Sequence, residues 1–229
     1  MHKISIIVPV FNDRSALKEF IVSLKRIIAE LDIPHEYIVV DDGSTDGTSD
    51  ELKKNNIPFL RHDINLGYGA ALKTGINRAQ GDIICIIDGD NTYSPGDIKR
   101  LIQYVDEFDM VVGARIKDAK RNFIFYQRWA KYLVCLLLRL LFRKEVPDIN
   151  SGLRLFKKDI AEKYYSLLPD GFSFTASITL IMLLAGYKIK YVPIGYFKRT
   201  GKAKVKVIGY TFNFIRSYLK ILSGFKFNG

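Results

Sequence analysis

The sequence predicts an α/β domain in which helices flank a mostly parallel sheet. Short apolar runs typical of buried strands alternate with segments whose apolar residues recur at three- and four-residue spacing, as on one face of a helix. This alternation is typical of βαβ units. No linker rich in Pro, Gly or Ser divides the chain, so we expect one domain over 1–206 and a basic, aromatic extension over 207–229.

Two strand–helix pairs open the chain. The apolar run Ile4–Val10 ends in a break and predicts a buried strand, and residues 17–31 show the apolar spacing of a helix. Tyr37–Asp41 predicts the second strand, which turn-forming residues follow. Thr45–Lys53 has acidic residues early and lysines late, which favours a short helix because these charges complement the helix dipole.

Three more elements follow in the first half. Pro58–Arg61 predicts a weak strand, and Tyr68–Ala79 predicts a helix rich in alanine. Ile83–Asp88 has the strongest buried-strand pattern in the chain. In parallel sheets, ligands bind beyond the carboxyl ends of the strands, so the residues after each strand are the first candidates for a site.

Polar clusters stand after three of these strands, at Phe11–Asp13, Asp41–Ser44 and Asp88–Asp90. Because the carboxyl ends of parallel strands meet at one edge, we expect the clusters to lie close together. Carboxylates gathered in one place repel each other unless a positive group lies between them. A divalent cation is the simplest candidate.

The Asp88-Gly89-Asp90 sequence is the best candidate for the metal ligands. In an extended segment, two carboxylates separated by one residue point to the same side, and the glycine between them lets a ligand approach the backbone. Oxygen-only ligands suit Mg²⁺ or Mn²⁺, which bind through one or two carboxylates together with substrate phosphates. The alternative is a surface turn, but the buried strand before it and the acidic cluster at Asp41 favour the metal.

A glycine-containing segment, Asn65–Leu72, precedes the helix that carries Lys73. It differs from the dinucleotide-binding fingerprint, since Leu72 stands where the third glycine belongs and the segment follows the third strand. The chain also contains no P-loop sequence. We expect these glycines to let a loop pass close to a nucleotide, with Lys73 near it.

Charge divides the chain into an acidic and a basic part. Residues 1–116 carry 13 basic and 18 acidic side chains, whereas 117–144 carry 8 basic and 1 acidic, and 171–229 carry 10 basic and none acidic. The first part suits a metal-assisted site and the second an anionic partner, unless the basic tail only solubilises the chain. The acidic clusters argue against a basic protein that binds nucleic acid without catalysis, so no nucleic-acid partner is expected.

Three further patterns narrow the class of protein. The longest stretch without a charge, 171–187, contains four Ser and Thr residues and makes a poor membrane span. The strand-like run from Ile4 leaves no room for a signal peptide. Cys85 and Cys135 lie in apolar runs, which indicates buried thiols in a reducing compartment and argues against a zinc site.

Two basic segments suit an anionic surface. Residues 122–143 place four basic side chains in an arc of about 120° on a helical wheel, which is typical of a helix lying in a membrane interface or, alternatively, of a core helix with a cationic solvent face. Residues 199–206 form a basic loop that binds phosphate or is simply solvated. Residues 207–222 are aromatic and basic, which again suits a membrane surface.

Seven motifs together resemble glycosyltransferases of family 2 with the GT-A fold, in particular dolichyl-phosphate mannose synthase and related polyprenyl-phosphate glycosyltransferases. They occur in the family's order over about residues 4–206. The motifs are PVFND at 9–13, VVDDGSTDGT at 39–48, NLGYGAALKTG at 65–75, DGDNTYSP at 88–95, VVGAR at 111–115, PDINSG at 147–152 and RTGKAK at 199–204.

The resemblance implies a nucleotide-sugar site in the first half of the chain. Pro9, Phe11 and Asp13 match the segment that lines the base and ribose of the donor. Asp41 and Asp42 match a pair of which one member contacts the base. The donor expected from the family is a nucleoside-diphosphate sugar.

The resemblance also implies a metal and a set of phosphate ligands. Asp88 and Asp90 match the DxD pair that holds the metal, Mg²⁺ or Mn²⁺, on the donor diphosphate. In some mannose synthases a Gln binds the metal where this chain has Thr92. Basic positions expected to grip donor or acceptor phosphates are Arg115, Arg128, Arg199 and Lys202.

The reaction implied is inverting transfer of a sugar to a polyprenyl phosphate such as dolichyl or undecaprenyl phosphate. A phosphate acceptor is already ionised near pH 7, since its second pKa is about 6, and needs no strong base. If the acceptor is instead a saccharide or another hydroxyl, a carboxylate base is required, and Asp148 is the candidate. With no room for spans in 207–229, we expect a cytoplasmic protein bound peripherally to an anionic face of the cytoplasmic membrane.

Overall fold

A seven-stranded sheet forms the centre of the fold in the computed structural model, which describes residues 2–115, 145–198 and 207–226. The strands are β1 (Ile4–Val10), β2 (His35–Asp41), β3 (Phe59–Arg61), β4 (Ile83–Ile86), β5 (Met110–Ala114), β6 (Arg154–Lys157) and β7 (Ile189–Pro193). Their order across the sheet is β3-β2-β1-β4-β6-β5-β7. Neighbouring strands are parallel except that β6 runs antiparallel to both β4 and β5.

Helices follow most of the strands. They are α1 (Arg14–Ala29), α2 (Thr48–Lys54), α3 (Tyr68–Arg78), α4 (Asp97–Ile102), α5 (Lys158–Lys163), α6 (Phe174–Leu184) and α7 (Val207–Lys226). The strands and helices predicted in the first half are confirmed, with ends that differ by a few residues. The mostly parallel α/β sheet predicted from the sequence is confirmed as well.

The sheet is buried on both faces because its side chains alternate between two apolar clusters. Ile7 packs with α3 and α6 on one face, whereas Ile6 and Val8 pack with α1 and α4 on the other. Gly75 allows α3 to pack closely against β1, since a Cβ at this position would lie 2.5 Å from the side chain of Ile7. Continuous apolar runs therefore mark the central strands, as expected for a parallel sheet covered on both sides.

The reversed direction of β6 brings a loop to the candidate ligand edge. Because β6 is antiparallel, its first residue lies beside the carboxyl ends of β4 and β5, and residues 147–152 come directly before it. The sequence does not predict this strand, since it begins with Arg154 and ends with Lys157 and has only two apolar residues between them. The loop of the PDINSG motif consequently reaches the same edge as the acidic clusters.

The C-terminal helix α7 packs against the domain. Ile221 is fully buried in the cluster that contains α6, and Phe225 stacks on Tyr164 with ring centroids 5.5 Å apart. Within the described ranges, no helix combines the length and the apolar character that crossing a membrane requires. The helix predicted over about 122–143 lies outside the described residues.

Candidate active site

The three acidic clusters meet at one pocket of about 170 Å³ beyond the carboxyl ends of β1, β2 and β4. Six of the residues predicted for the site line it: Pro9, Phe11, Asp13, Asp42, Asp88 and Asp90. They converge because β1 lies between β2 and β4 and all three run parallel. The prediction that the clusters share one edge of the sheet is confirmed.

Asp88 and Asp90 both face this pocket, and each is already oriented by a hydroxyl. The Tyr68 hydroxyl donates to Oδ1 of Asp88 at 2.8 Å. The backbone N–H and hydroxyl of Thr92 donate to Oδ1 of Asp90 at 3.1 and 2.5 Å. Burial and the charge of Asp88 raise the pKa of Tyr68 well above its ordinary value, so its hydroxyl remains protonated and able to donate.

This pair fits a hard divalent cation. Two carboxylates on one pocket wall are the usual protein contribution to a Mg²⁺ or Mn²⁺ site, with substrate phosphates completing the shell. Among the described residues, no cluster of three or more His, Cys, Asp or Glu side chains could hold a metal. The hydroxyl of Thr92, the position at which the resemblance to mannose synthases implies a Gln ligand in some of them, donates to Asp90.

Gly152 lies directly against the carboxylate of Asp88. A Cβ on Gly152 would stand 2.0 Å from Oδ2 and 2.5 Å from the carboxyl carbon, so only glycine leaves room for this acid. The N–H of Gly152 donates to the Tyr93 hydroxyl at 2.7 Å. The loop of residues 147–152 therefore packs against Asp88, one of the two candidate metal ligands.

Arg115 and Asp148 form a buried ion pair beside this loop. Nε and a terminal nitrogen of Arg115 donate to the two oxygens of Asp148 at 2.6 and 2.8 Å, and Asp148 is 1% exposed. The guanidinium also lies over the ring of Tyr196, 5.1 Å from its centroid. Burial opposes the charge, but the neighbouring tyrosines and Asp148 outweigh it and hold the pKa of Arg115 above its usual value.

Arg154 anchors the same loop from inside the domain. Its fully buried guanidinium donates to the carbonyls of Ile149 and Ser151 and, on α6, to the carbonyl of Thr175 and the hydroxyl of Thr179. These distances range from 2.5 to 3.2 Å. A buried charge is tolerated when hydrogen bonds replace its hydration, and here they tie the loop to a helix of the core.

Of the two acids at the carboxyl end of β2, Asp41 and Asp42, it is Asp42 that faces the pocket. Its carboxylate accepts hydrogen bonds from the N–H groups of Leu66 and Gly67, both at 2.9 Å, and pairs with His62 at 2.7 Å. Asp41 is fully buried and accepts from the Ser44 N–H and the Ser49 hydroxyl. Asp42 is thus the member of the pair placed to contact a ligand, while Asp41 secures the turn.

The amino-acid sequence matches a known family over most of its length. Residues 5–165 match the family model described as glycosyl transferase family 2. The chain belongs to this family. An uncharacterized protein of Methanocaldococcus jannaschii is 31% identical over 200 residues, which cover 84% of this chain and 80% of that protein.

Other relatives of this family 2 chain are lipid-linked sugar transferases by name. Undecaprenyl-phosphate 4-deoxy-4-formamido-L-arabinose transferases of Pseudomonas syringae and Proteus mirabilis are 29% and 25% identical over 165 and 168 residues. The matches cover 69% and 71% of this chain but 48% and 51% of those proteins. The chain therefore spans about half the length of these transferases.

Solved structures share the fold. Glucosyl-3-phosphoglycerate synthase of Mycobacterium tuberculosis, in complex with Mn²⁺, UDP and glucosyl-3-phosphoglycerate, matches with a TM-score of 0.73 and 18% identity. The match covers 96% of this chain and 80% of that one. The same enzyme has also been solved with Mg²⁺ and UDP. At this identity the likeness shows the GT-A fold of the family, as the sequence motifs implied.

Two predicted site residues of this family 2 domain have other surroundings than expected. Lys73 does not line the pocket, and its ammonium pairs with Asp170 at 2.7 Å. It lies about 140° around α3 from the pocket-lining Tyr68 because of helical geometry. Its place beside a nucleotide stays a prediction. Asp148 uses both oxygens on Arg115, an arrangement that argues against the general-base role considered for a hydroxyl acceptor.

The other predicted residues are placed as follows. Asp13 accepts the Phe11 N–H at 3.1 Å and lies in the pocket wall with it. Arg115 stands at the loop of residues 147–152, where its phosphate-binding role stays a prediction. The predicted phosphate ligands outside the described residues are Arg128, Arg199 and Lys202.

Sequence reasoning did not single out Tyr68 and Phe172, which line the pocket of this family 2 domain, or Gly152, which lies against the carboxylate of Asp88. Phe172 is 40% exposed, lines the pocket and stacks on Tyr68 with ring centroids 5.6 Å apart. Gly152 was part of a recognised motif, but its contact partner is 64 residues away in sequence, since 152 − 88 = 64. Nothing in the local pattern of Phe172 marks it as a pocket residue.

Proposed function

We propose that this family 2 glycosyltransferase moves a sugar from a nucleoside diphosphate to a polyprenyl phosphate and inverts the anomeric carbon. The observation that carries the proposal is the pocket itself, in which one wall comes from Pro9, Phe11 and Asp13 and another from Asp88 and Asp90. A nucleoside on the first wall would place its diphosphate toward the two carboxylates. The names of the undecaprenyl-phosphate transferases support the choice of acceptor.

In this proposal Asp88 and Asp90 hold Mg²⁺ or Mn²⁺. The bound cation would neutralise the charge that builds up on the leaving diphosphate. The carboxylates are oriented in advance by Tyr68 and Thr92, and Gly152 leaves room for Asp88. Preorganised charges of this kind need no rearrangement when the reaction occurs, which is why they contribute strongly to catalysis.

The nucleoside would bind between β1 and the loop after β3. Asp42 supplies an acceptor for an N–H of the base, and its own orientation is fixed by the Leu66 and Gly67 N–H groups. Phe11 and Pro9 provide apolar contact. Asp13 is 5% exposed and stands where a ribose hydroxyl could donate to it.

The acceptor side is the one formed by residues 147–152. The phosphate of the acceptor is already ionised, so it requires cationic partners more than a base. Arg115 lies beside this loop, where its ion pair with Asp148 keeps the guanidinium in position. Arg128, Arg199 and Lys202 are proposed as further phosphate ligands, in the part of the chain where basic residues predominate. In this proposal the acidic first half of the chain binds the metal and the donor, and the basic second half binds the lipid phosphate.

An acceptor assay tests the proposal. The purified chain is incubated with Mn²⁺ and either a UDP-sugar or a GDP-sugar, and release of nucleoside diphosphate is measured. We expect release to rise with a polyprenyl phosphate and to stay at the background rate with the matched polyprenol, which lacks only the phosphate. Release that rises instead with a soluble hydroxyl acceptor would support the alternative of a saccharide or other hydroxyl acceptor.

We also propose peripheral binding to an anionic, cytoplasmic membrane face. The 59 residues from 171 to 229 carry ten basic and no acidic side chains, and α7 begins within this stretch. We expect the protein to float with anionic liposomes and to be released at 1 M salt, where the Debye length is about 3 Å. Neutral liposomes are the control, and equal binding to both would contradict the electrostatic mechanism.

A further inference from the structure

We infer that Tyr68 is a positioning residue for metal binding, whose hydroxyl holds Asp88 in the orientation that receives the cation. The inference rests on the proposed function, because it concerns the metal that Asp88 and Asp90 are proposed to hold. Tyr68 begins α3 and lines the same pocket as Asp88. Its hydroxyl reaches Oδ1 of Asp88 at 2.8 Å.

Asp88 is fixed from two directions. Tyr68 donates to Oδ1, and the backbone of Gly152 lies close to Oδ2. A single hydrogen bond would still allow the carboxylate plane to rotate about the Cβ–Cγ bond. The hydroxyl on one oxygen and the backbone beside the other together leave little freedom for that rotation.

The ring of Tyr68 is itself held in place. Phe172 stacks on it with centroids 5.6 Å apart and an interplanar angle of 14°. The segment that carries Phe172 is docked on the start of α3, where the Ala70 N–H donates to the Asp170 carbonyl at 2.9 Å. A Cβ on Gly69 would lie 2.1 Å from the Pro169 carbonyl, so the two backbones are in close contact.

This chain of contacts has a chemical consequence. Mutation of a residue that orients a metal ligand typically lowers metal affinity or activity by about 10- to 100-fold. Removing the hydroxyl of Tyr68 leaves the charge of Asp88 intact but frees its carboxylate to turn. The effect should therefore fall on the metal requirement and not on the fold.

The test compares Tyr68→Phe with Tyr104→Phe. Tyr104 is also half-buried and packs on a phenylalanine, Phe108, but it does not line the pocket. Thermal stability is followed while Mn²⁺ is titrated in the presence of UDP or GDP. We expect the Mn²⁺ concentration for half-maximal stabilisation to rise about 10-fold in Tyr68→Phe and to stay unchanged in Tyr104→Phe.

The outcomes separate the inference from the proposed function. If the wild type shows no Mn²⁺ response with either nucleotide, the proposed metal site is wrong and the inference fails with it. If the wild type responds and Tyr68→Phe responds identically, only the inference is overturned.

A second variant, Phe172→Leu, keeps the hydroxyl and removes the stacked ring. It covers the case in which Tyr68→Phe does not fold. We expect a rise in the Mn²⁺ requirement smaller than the 10-fold of Tyr68→Phe, and an unchanged requirement would contradict the role of the stacked pair.

Discussion

Asp90→Asn is expected to lower sugar transfer by about 1000-fold while leaving the protein folded. The substitution keeps an oxygen that can accept from Thr92 but removes one of the two negative charges of the proposed metal-binding pair. Loss of that charge should weaken binding of the cation and therefore reduce the stabilisation of the leaving diphosphate. Since Asp88 is a neighbouring like charge, the free energy of unfolding should not fall. The measurement is kcat/KM from nucleoside diphosphate release, alongside urea unfolding.

Asp106→Asn is the matched control. The Asp106 side chain is 88% exposed and does not line the pocket, so the transfer rate of this variant should equal that of the wild type. The assignment of the metal ligands would be wrong if Asp90→Asn retained most of its activity and no longer responded to removal of divalent cations.

Gly152→Ala is expected to lower transfer by about 100-fold, an effect that arises from geometry alone. The new methyl group would overlap the carboxylate of Asp88, whose Oδ2 stands 2.0 Å from the Cβ position. Asp88 must then turn or the loop must withdraw. A displacement of about 1 Å in a catalytic arrangement can cost about 100-fold in rate.

Gly171→Ala offers a close comparison for this substitution. No atom lies within 4 Å of a Cβ placed there, although the residue adjoins the pocket-lining Phe172. We expect wild-type transfer from it. Gly152→Ala should in addition require more Mn²⁺ for stabilisation by nucleotide, which a general loss of stability would not produce. Equal activity in the two variants would show that Asp88 can adjust without penalty.

Local sequence patterns located the strands and the acidic clusters that meet at the pocket. Runs such as Ile4–Val10 and Ile83–Ile86 are apolar throughout because both faces of the sheet are covered, so periodicity located them. Because the carboxyl ends of parallel strands meet at one edge of a sheet, the sequence alone predicts that the acidic clusters lie together. The pocket confirms that step.

Contacts between distant residues could not be predicted in the same way. Lys73 pairs with Asp170, which is 97 positions away, and no local signal reports such a partner. Arginines are rarely fully buried, yet Arg154 is, and its guanidinium makes five hydrogen bonds to carbonyl and hydroxyl oxygens. Side-chain pairing of this kind depends on the packed structure and not on the spacing of residue types.

The antiparallel strand β6 has a consequence for how such a protein can diversify. Parallel strands bring to this edge the residues that follow them, whereas the antiparallel β6 brings the residues that precede it. Asp88–Asp90 and the loop of residues 147–152 therefore meet at one edge although more than fifty residues separate them in sequence. The two stretches meet at several contacts, among them Asp88 with Gly152 and Arg115 with Asp148, so a change in one stretch is limited by the residues of the other.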